Sequence, residues 1–338
     1  AVPIILPLLV LGPALIPESR DPNPGRVDAP SIVLSLLAMV PAVYGIKILA
    51  TDGVAPEPLA ALGIGLLMGY AFVRRQRRLA ESASSAPLLD LSLFSNPVFS
   101  TAITANVLAL FSYNGFILFL AQHLQLIEGQ SPSQSGMAMV PALVATVVAG
   151  LLVVPLVRKV RPGYVVTGGL LLSATGYGLV AVGDHGAGPG VLLAALLVLC
   201  LGVGAAETIS NDLILGAAPA AKSGAAAAIS ETGYEVGSLL GTAILGSILT
   251  ASYQRNLHLP DGAAGSAPAE AAAQARETLA GATELAHTLP APLADAVMAA
   301  ARAAFDSGVH ITAAIALVLM AGAAVLAAVV LRKVPTAS

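Results

Sequence analysis

Ile229-Ser230-Glu231-Thr232-Gly233-Tyr234-Glu235-Val236-Gly237-Ser238-Leu239-Leu240-Gly241-Thr242 lies inside a run, Gly224 to Thr250, whose only charged residues are Glu231 and Glu235. At 1.5 Å of rise per residue, a helix over this run is long enough to cross roughly 30 Å of hydrocarbon. An ionised side chain at that depth is costly and persists mainly where it faces a cavity or a partner. The run therefore reads as a membrane span with chemistry inside it.

The composition agrees. Of the 338 residues 57% are hydrophobic and 10% charged, and the mean hydropathy is +0.85, whereas a soluble domain carries about 25% charged residues. The net charge of -3 says little about partners, because in a membrane protein charges are sorted by side. Cys200 is the single cysteine, so neither a disulfide framework nor a thiol metal cluster is expected. The opening stretch has no initiator methionine, no basic n-region and no small-residue cleavage site. It is expected to be a cut membrane helix rather than a signal peptide.

Nine apolar runs recur: Ala1 to Ile16, Ser31 to Ala50, Pro58 to Val73, Val98 to Ala121, Gly136 to Val157, Gly163 to Val182, Gly190 to Leu215, Gly224 to Thr250 and Val309 to Leu331. Alternating sides gathers Arg20, Arg26, Arg74, Arg75, Arg77, Arg78, Arg158, Lys159, Arg161, Lys222, Arg332 and Lys333 together, twelve of the sixteen basic residues. The positive-inside rule makes that side, and the C-terminus, cytoplasmic. Arg255, Arg276 and Arg302 fall in one opposite segment, and Lys47 near the outer end of its span. The expectation is an all-α polytopic protein of the bacterial inner membrane.

Two stretches read as non-membrane. Arg74 to Asn96 opens on Arg74-Arg75-Gln76-Arg77-Arg78, read beside a span as a topology anchor and anionic-lipid contact rather than a nucleic-acid site. Ala251 to Gly308 lies outside, and its Ala269 to Leu285 and Leu293 to Phe305 stretches have helix-forming composition. A short helical hairpin over the outer mouth is expected there.

Glu231 lies roughly 10 Å and Glu235 roughly 17 Å from the cytoplasmic end of its helix, and Glu207 about 12 Å from the same side on the preceding helix. Glu231, Tyr234, Glu235, Ser238 and Thr242 follow the i, i+3, i+4, i+7, i+11 rule and form one polar stripe. Gly233, Gly237 and Gly241 form a second stripe about 120° away, the small-xxx-small pattern of close helix packing. Glu207 and Asn211 are i, i+4 neighbours, with Asp212 closer to the cytoplasm. Two carboxylates a turn apart in low dielectric repel when both are charged, so such a site holds protons or an organic cation in exchange. The alternative is that Glu231 is hydrogen-bonded to Tyr or Ser, or snorkels. Asn106, Tyr113 and Asn114 either line the same cavity or make ordinary interhelical hydrogen bonds.

His123, His185, His258, His287 and His310 have no ligand spacing, so no metal site is expected. There is no H-E-x-x-H, no G-x-S-x-G and no phosphate loop with its Lys, so neither an enzyme nor a bound cofactor is expected.

Pro17-Glu18-Ser19-Arg20-Asp21, Pro87-Leu88-Leu89-Asp90-Leu91, Ser131-Pro132 to Gly136 leading to Pro141, and Lys222-Ser223-Gly224 to Glu231-Thr232-Gly233-Tyr234-Glu235-Val236-Gly237 resemble the 14-helix drug:proton antiporters of the major facilitator superfamily, the QacA, SmvA and LfrA type of multidrug exporter. The likeness runs through the whole chain in order. It implies that residues 1–16 are the remnant of membrane helix six, 17–30 a cytoplasmic loop and 31–73 two extra central helices. Residues 74–96 would be a basic cytoplasmic linker, 97–331 the complete C-terminal six-helix bundle with 251–308 as a long extracellular loop, and 332–338 a cytoplasmic tail. It further implies export of lipophilic or quaternary cations in exchange for protons, with Glu231 and Glu235 as the acids of the penultimate helix. The chain departs from the family in lacking its first five helices and the acid some members carry in the helix matching Gly136 to Val157. Two rival readings stay open: a truncated membrane protein that does not transport, and an exporter of another small molecule such as an amino acid, siderophore or lipid precursor.

Overall fold

The computed structural model describes residues 28–51, 55–81, 90–183, 188–219, 222–260, 262–263 and 269–335. The predicted first span Ala1 to Ile16, the loop with Arg20 and Arg26, residues 82–89 of the linker and the last three residues of the tail lie outside the described residues. Among the described residues the regular structure is all helical, and eight helices are long and apolar enough to cross a membrane.

These are α1 (Ala29–Thr51), α2 (Pro56–Glu81), α3 (Pro97–Gln122), α4 (Pro132–Leu156), α5 (Pro162–Ala181), α6 (Pro189–Gly216), α7 (Ser223–Asn256) and, after two short helices α8 (Ala269–Glu277) and α9 (Leu279–Thr288), α10 (Ala291–Val330). The starts are written in the sequence. Asn96 caps α3 by accepting from Val98 N, with Pro97 in the first turn, where its missing N–H costs nothing. Ser131 and Gln134 close a capping box on α4.

Three boundaries differ from the sequence reading. Helix α2 runs on through its arginines to Glu81, because Arg, Gln, Leu and Ala are good helix formers and nothing there breaks the ladder. Helix α7 changes to π-helical hydrogen bonding over Gly241–Leu245 and resumes as α-helix at Gly246. The Leu293 to Phe305 stretch, expected as an arm of an outer hairpin, is instead the first part of the 40-residue α10. Asp306-Ser307-Gly308 interrupts the apolar pattern there without breaking the helix, since no proline follows Pro292 inside it.

Helices α3 to α7 and α10 form one bundle. Helix α3 packs on α6, α7 and α10, and α6 also on α4 and α5. Phe99, Phe116, Phe119, Leu120, Tyr177 and Phe305 are fully buried between them. Phe116 and Tyr177 meet edge to face at 5.3 Å, and the Tyr177 hydroxyl donates to the Ser112 carbonyl. With lipid outside as apolar as the core inside, close packing and such polar contacts hold the bundle, rather than hydrophobic burial. At one end Arg161 donates to the Arg332 carbonyl at 3.2 Å, the Lys222 ammonium meets Asp90 at 2.6 Å, and Asn96 reaches the Ala217 carbonyl at 3.3 Å. This gathers the loops before α3, α5 and α7 with the end of α10 into a single basic end. At the opposite end Tyr253 donates to the Ala275 carbonyl at 2.9 Å, tying α8 to α7, and Arg302 donates to the Ile127 carbonyl at 3.1 Å.

Helices α1 and α2 pair as a peripheral hairpin. Gly65 sits against the Ala38 carbonyl and Ala42, which lets the two backbones come close. At the basic end Arg75 grips Asp28 with two hydrogen bonds, 2.6 and 2.8 Å, Asp28 accepts from Ser31, and the buried Gln76 amide donates to Ser31 Oγ at 2.6 Å. Hydrogen bonds from Arg75, then from Ser31, hold the Asp28 carboxyl down from 3.8 to about 2. A depressed carboxyl contributes stability that is present above its unfolded value and lost as pH falls through the folded one. Amide protection over residues 29–36 is therefore expected to hold, after correction for intrinsic exchange, down to about pH 4 and to decline toward pH 2. Asp28→Asn should lack that protection at neutral pH; equal protection in the variant would show that the clasp holds nothing.

Candidate substrate and proton site

The two faces of α7 separate as their spacing requires. Its glycines lie on α3: a Cβ at Gly237 would stand 2.5 Å from the Val107 carbonyl oxygen, one at Gly241 would collide with the Phe111 carbonyl, and one at Gly233 would stand 3.3 Å from Val107 Cγ2. Val107 and Phe111 are one turn apart, so the two helices run along each other at backbone distance. Turned away from that contact, Glu231, Glu235 and Thr242 are exposed and Tyr234 and Ser238 half-exposed.

Three helices bring polar groups to the basic half of this face. From α3, the fully buried Asn106 donates to the Tyr234 hydroxyl at 3.3 Å. From α6, Asn211 accepts from the buried Ser230 hydroxyl at 3.1 Å. The half-buried Glu207 lies within electrostatic reach of the Glu231 carboxyl and of the Tyr234 and Tyr113 hydroxyls. Asn106 Oδ1 is buried with no hydrogen-bond partner among the described residues, an acceptor beside Tyr234 that a proton donor would satisfy. No Lys or Arg occurs in α3 to α6, nor in α7 before Arg255, to neutralise the acids. Glu235 sits one turn beyond Glu231, without a hydrogen bond or ion pair among the described residues.

The arrangement joins Glu207, Glu231, Tyr234, Asn106, Asn211 and Tyr113, and leaves others apart. The Asn114 amide donates to the Leu110 carbonyl of its own helix at 3.0 Å, and the Thr242 hydroxyl to the Ser238 carbonyl at 3.0 Å. Two features escape the sequence pattern. Ser230 lies beside the polar stripe, and only the approach of α6 gives its hydroxyl a partner. The π-helical turn begins at Gly241, where the stripe reaches Thr242, and such turns often mark functional helices. A cavity of about 490 Å³ lined by Asn96, Asp212 and Lys333 lies at the basic end, apart from Glu207, Glu231 and Glu235.

The site forms a bundle face with carboxylates, a phenol and amides, and no cation among the described residues. That face can hold a proton or a positively charged organic group. The profile of the Major Facilitator Superfamily matches residues 2–242. The chain is 45% identical over 333 residues to the multidrug efflux pump LfrA of Mycolicibacterium smegmatis, covering 98% of this chain and 64% of that protein. It is 30% identical to the methyl viologen resistance protein SmvA of Salmonella typhimurium, covering 90% of this chain and 60% of that protein. It is 30% identical to the tetracenomycin C resistance and export protein of Streptomyces glaucescens, covering 96% and 61%. The chain thus spans less than two thirds of the length of these relatives. Its fold is similar to the crystal structure of a bacterial homologue of the human lysosomal transporter Spinster, inward-facing and unoccupied, with a TM-score of 0.52 at 14% identity over 91% of this chain and 69% of that one. Eight apolar helices, the superfamily profile and these relatives make this a multi-pass membrane protein, and the chain belongs to the Major Facilitator Superfamily, a family of transporters and not of enzymes.

Proposed function

We propose that the chain is the C-terminal part of a proton-coupled exporter of lipophilic or quaternary cations, completed by five upstream helices, in the bacterial inner membrane with its basic end and C-terminus in the cytoplasm. The observation that carries this reading is the unneutralised acidic face of α7, turned out of the bundle. Alternating access rocks two bundles about a site between them. Glu231 and Glu235 stand on the face a second bundle would cover, while the glycines hold the opposite side of α7 to α3. The names of the relatives, a multidrug efflux pump and a methyl viologen resistance protein, support a drug-like cargo.

The mechanism follows from the groups present. A lipophilic cation reaching the face from the basic side meets carboxylates and the ring of Tyr234, whose π-face attracts cations. Its arrival displaces protons from Glu231 and Glu235, and reprotonation from the opposite side releases it. Ethidium efflux from cells carrying the full-length protein tests this: it is expected to stop when the proton gradient is collapsed. Efflux that continues without the gradient would rule out proton coupling, and absence of any ethidium efflux would rule out a general cation exporter.

Sidedness has its own test. Arg74→Cys, at the basic end of α2, is expected to be protected from a membrane-impermeant thiol reagent in intact cells, and Ala269→Cys, on the exposed start of α8, to be labelled. The reverse pattern inverts the proposed topology.

A further inference from the structure

The α1–α2 hairpin does not close against the bundle along its whole length. Helix α1 makes its contacts with α7 at the π-helical turn and beyond, in the half away from the basic end. Toward the basic end a cavity of about 530 Å³ remains between the hairpin and α7, walled by Leu66, Tyr70 and Val73 on one side and Val236 and Leu239 on the other. Its lining is almost wholly carbon. An empty gap of this size forfeits the dispersion contacts of both walls, so in a bilayer it fills.

Beyond the cavity the end of α2 is charged. Val73 is followed at once by Arg74, Arg75, Arg77 and Arg78. Arg75 is taken by Asp28, whereas Arg74, Arg77 and Arg78 are exposed and form no ion pair among the described residues. Leu66, Tyr70, Val73 and Arg77 fall at i, i+4, i+7 and i+11, so Arg77 continues the stripe that walls the cavity. A ligand fitting both parts has a long apolar chain and an anionic head.

We propose that this wedge binds one anionic phospholipid from the leaflet on the basic side, its acyl chain between α2 and α7 and its phosphate on Arg77. The lipid completes the packing that the hairpin leaves open and fixes the angle of α2 against the helix that carries Glu235. The proposal stands apart from the transport reading, because it rests on the hairpin, its arginines and the apolar wall of α7, and on none of the acids.

The test places a photoreactive side chain at the wall, Tyr70→p-benzoylphenylalanine, in the full-length protein reconstituted into equal phosphatidylglycerol and phosphatidylcholine. Mass spectrometry of the adducts is expected to show phosphatidylglycerol favoured about five-fold, the preference one basic residue near an anionic headgroup provides. Arg77→Gln should bring the adducts to parity, and Arg78→Gln, about 100° away around the helix, should leave the preference in place. Adducts to the protein's own upstream helices would show that protein covers the wedge, and the proposal fails. It fails equally if both lipids react alike without any substitution, or if the two arginine variants lose the preference to the same extent.

Discussion

Gly237→Leu is expected to prevent the bundle from assembling, although the change adds apolar volume in an apolar medium. The reason is backbone proximity. A Cβ at Gly237 stands 2.5 Å from the Val107 carbonyl oxygen, and that atom belongs to α3 itself and cannot swing aside as a side-chain end does. Helices α3 and α7 must then separate along the whole contact, including Gly241 against Phe111 and Gly115 against Leu245. Overpacking of this kind costs about 1–3 kcal/mol and more where the backbone is rigid. The loss is largest here because close approach is itself what drives helix association in lipid. Size-exclusion profiles and melting curves in detergent should show aggregation or a melting temperature lowered by several degrees. Gly168→Ala on α5, where a Cβ meets nothing within 4 Å, serves as the control and should behave as wild type. A Gly237→Leu protein as monodisperse and as stable as that control would mean that the helices do not pack in this way in the membrane.

What the sequence reveals here and what it hides follow from range. Spans are legible because each helix must satisfy its own backbone in hydrocarbon and so advertises itself as an apolar run. The two faces of α7 are legible because a periodicity of 3.6 lies wholly within one segment. The partner of the glycine face is not, since nothing in Gly233, Gly237 and Gly241 names Val107 and Phe111, more than a hundred residues upstream. For the same reason Ser230 carries no signal until α6 brings Asn211 to it, and Glu207, marked in the sequence by its charge inside an apolar run, has no named neighbours on α7 until the fold sets it beside Glu231 and Tyr234. The start of α10 fails differently. Hydropathy marks where a helix enters the membrane, and from Ala291 onward this helix forms well before its apolar part begins. Local helix propensity and membrane hydropathy are separate signals, and at Asp306-Ser307-Gly308 they disagree.

Glu235→Gln in the full-length protein is expected to abolish proton-coupled export while leaving folded protein in the membrane. Glu235 lies roughly 17 Å along its helix, near the middle of the bilayer. At that depth a carboxylate must be protonated, paired or hydrated. It forms no ion pair among the described residues, and no Lys or Arg lies on α7 before Arg255 or on the helices it packs against at that level. Because it is exposed on the outer face of the bundle, its replacement should cost the fold little. Glu231→Gln is expected to weaken export less, because Glu207 stands near it and can take over part of its charge. Glu207→Gln, half-buried among Tyr113, Tyr234 and Glu231, should shift the pH dependence of export more than its maximal rate. Ethidium efflux measured across a range of external pH, with the amount of folded protein held equal, separates these outcomes. If Glu235→Gln pumps at the wild-type rate throughout that range, the acid serves structure alone, and proton coupling must lie with Glu207, Glu231 or another part of the full-length protein.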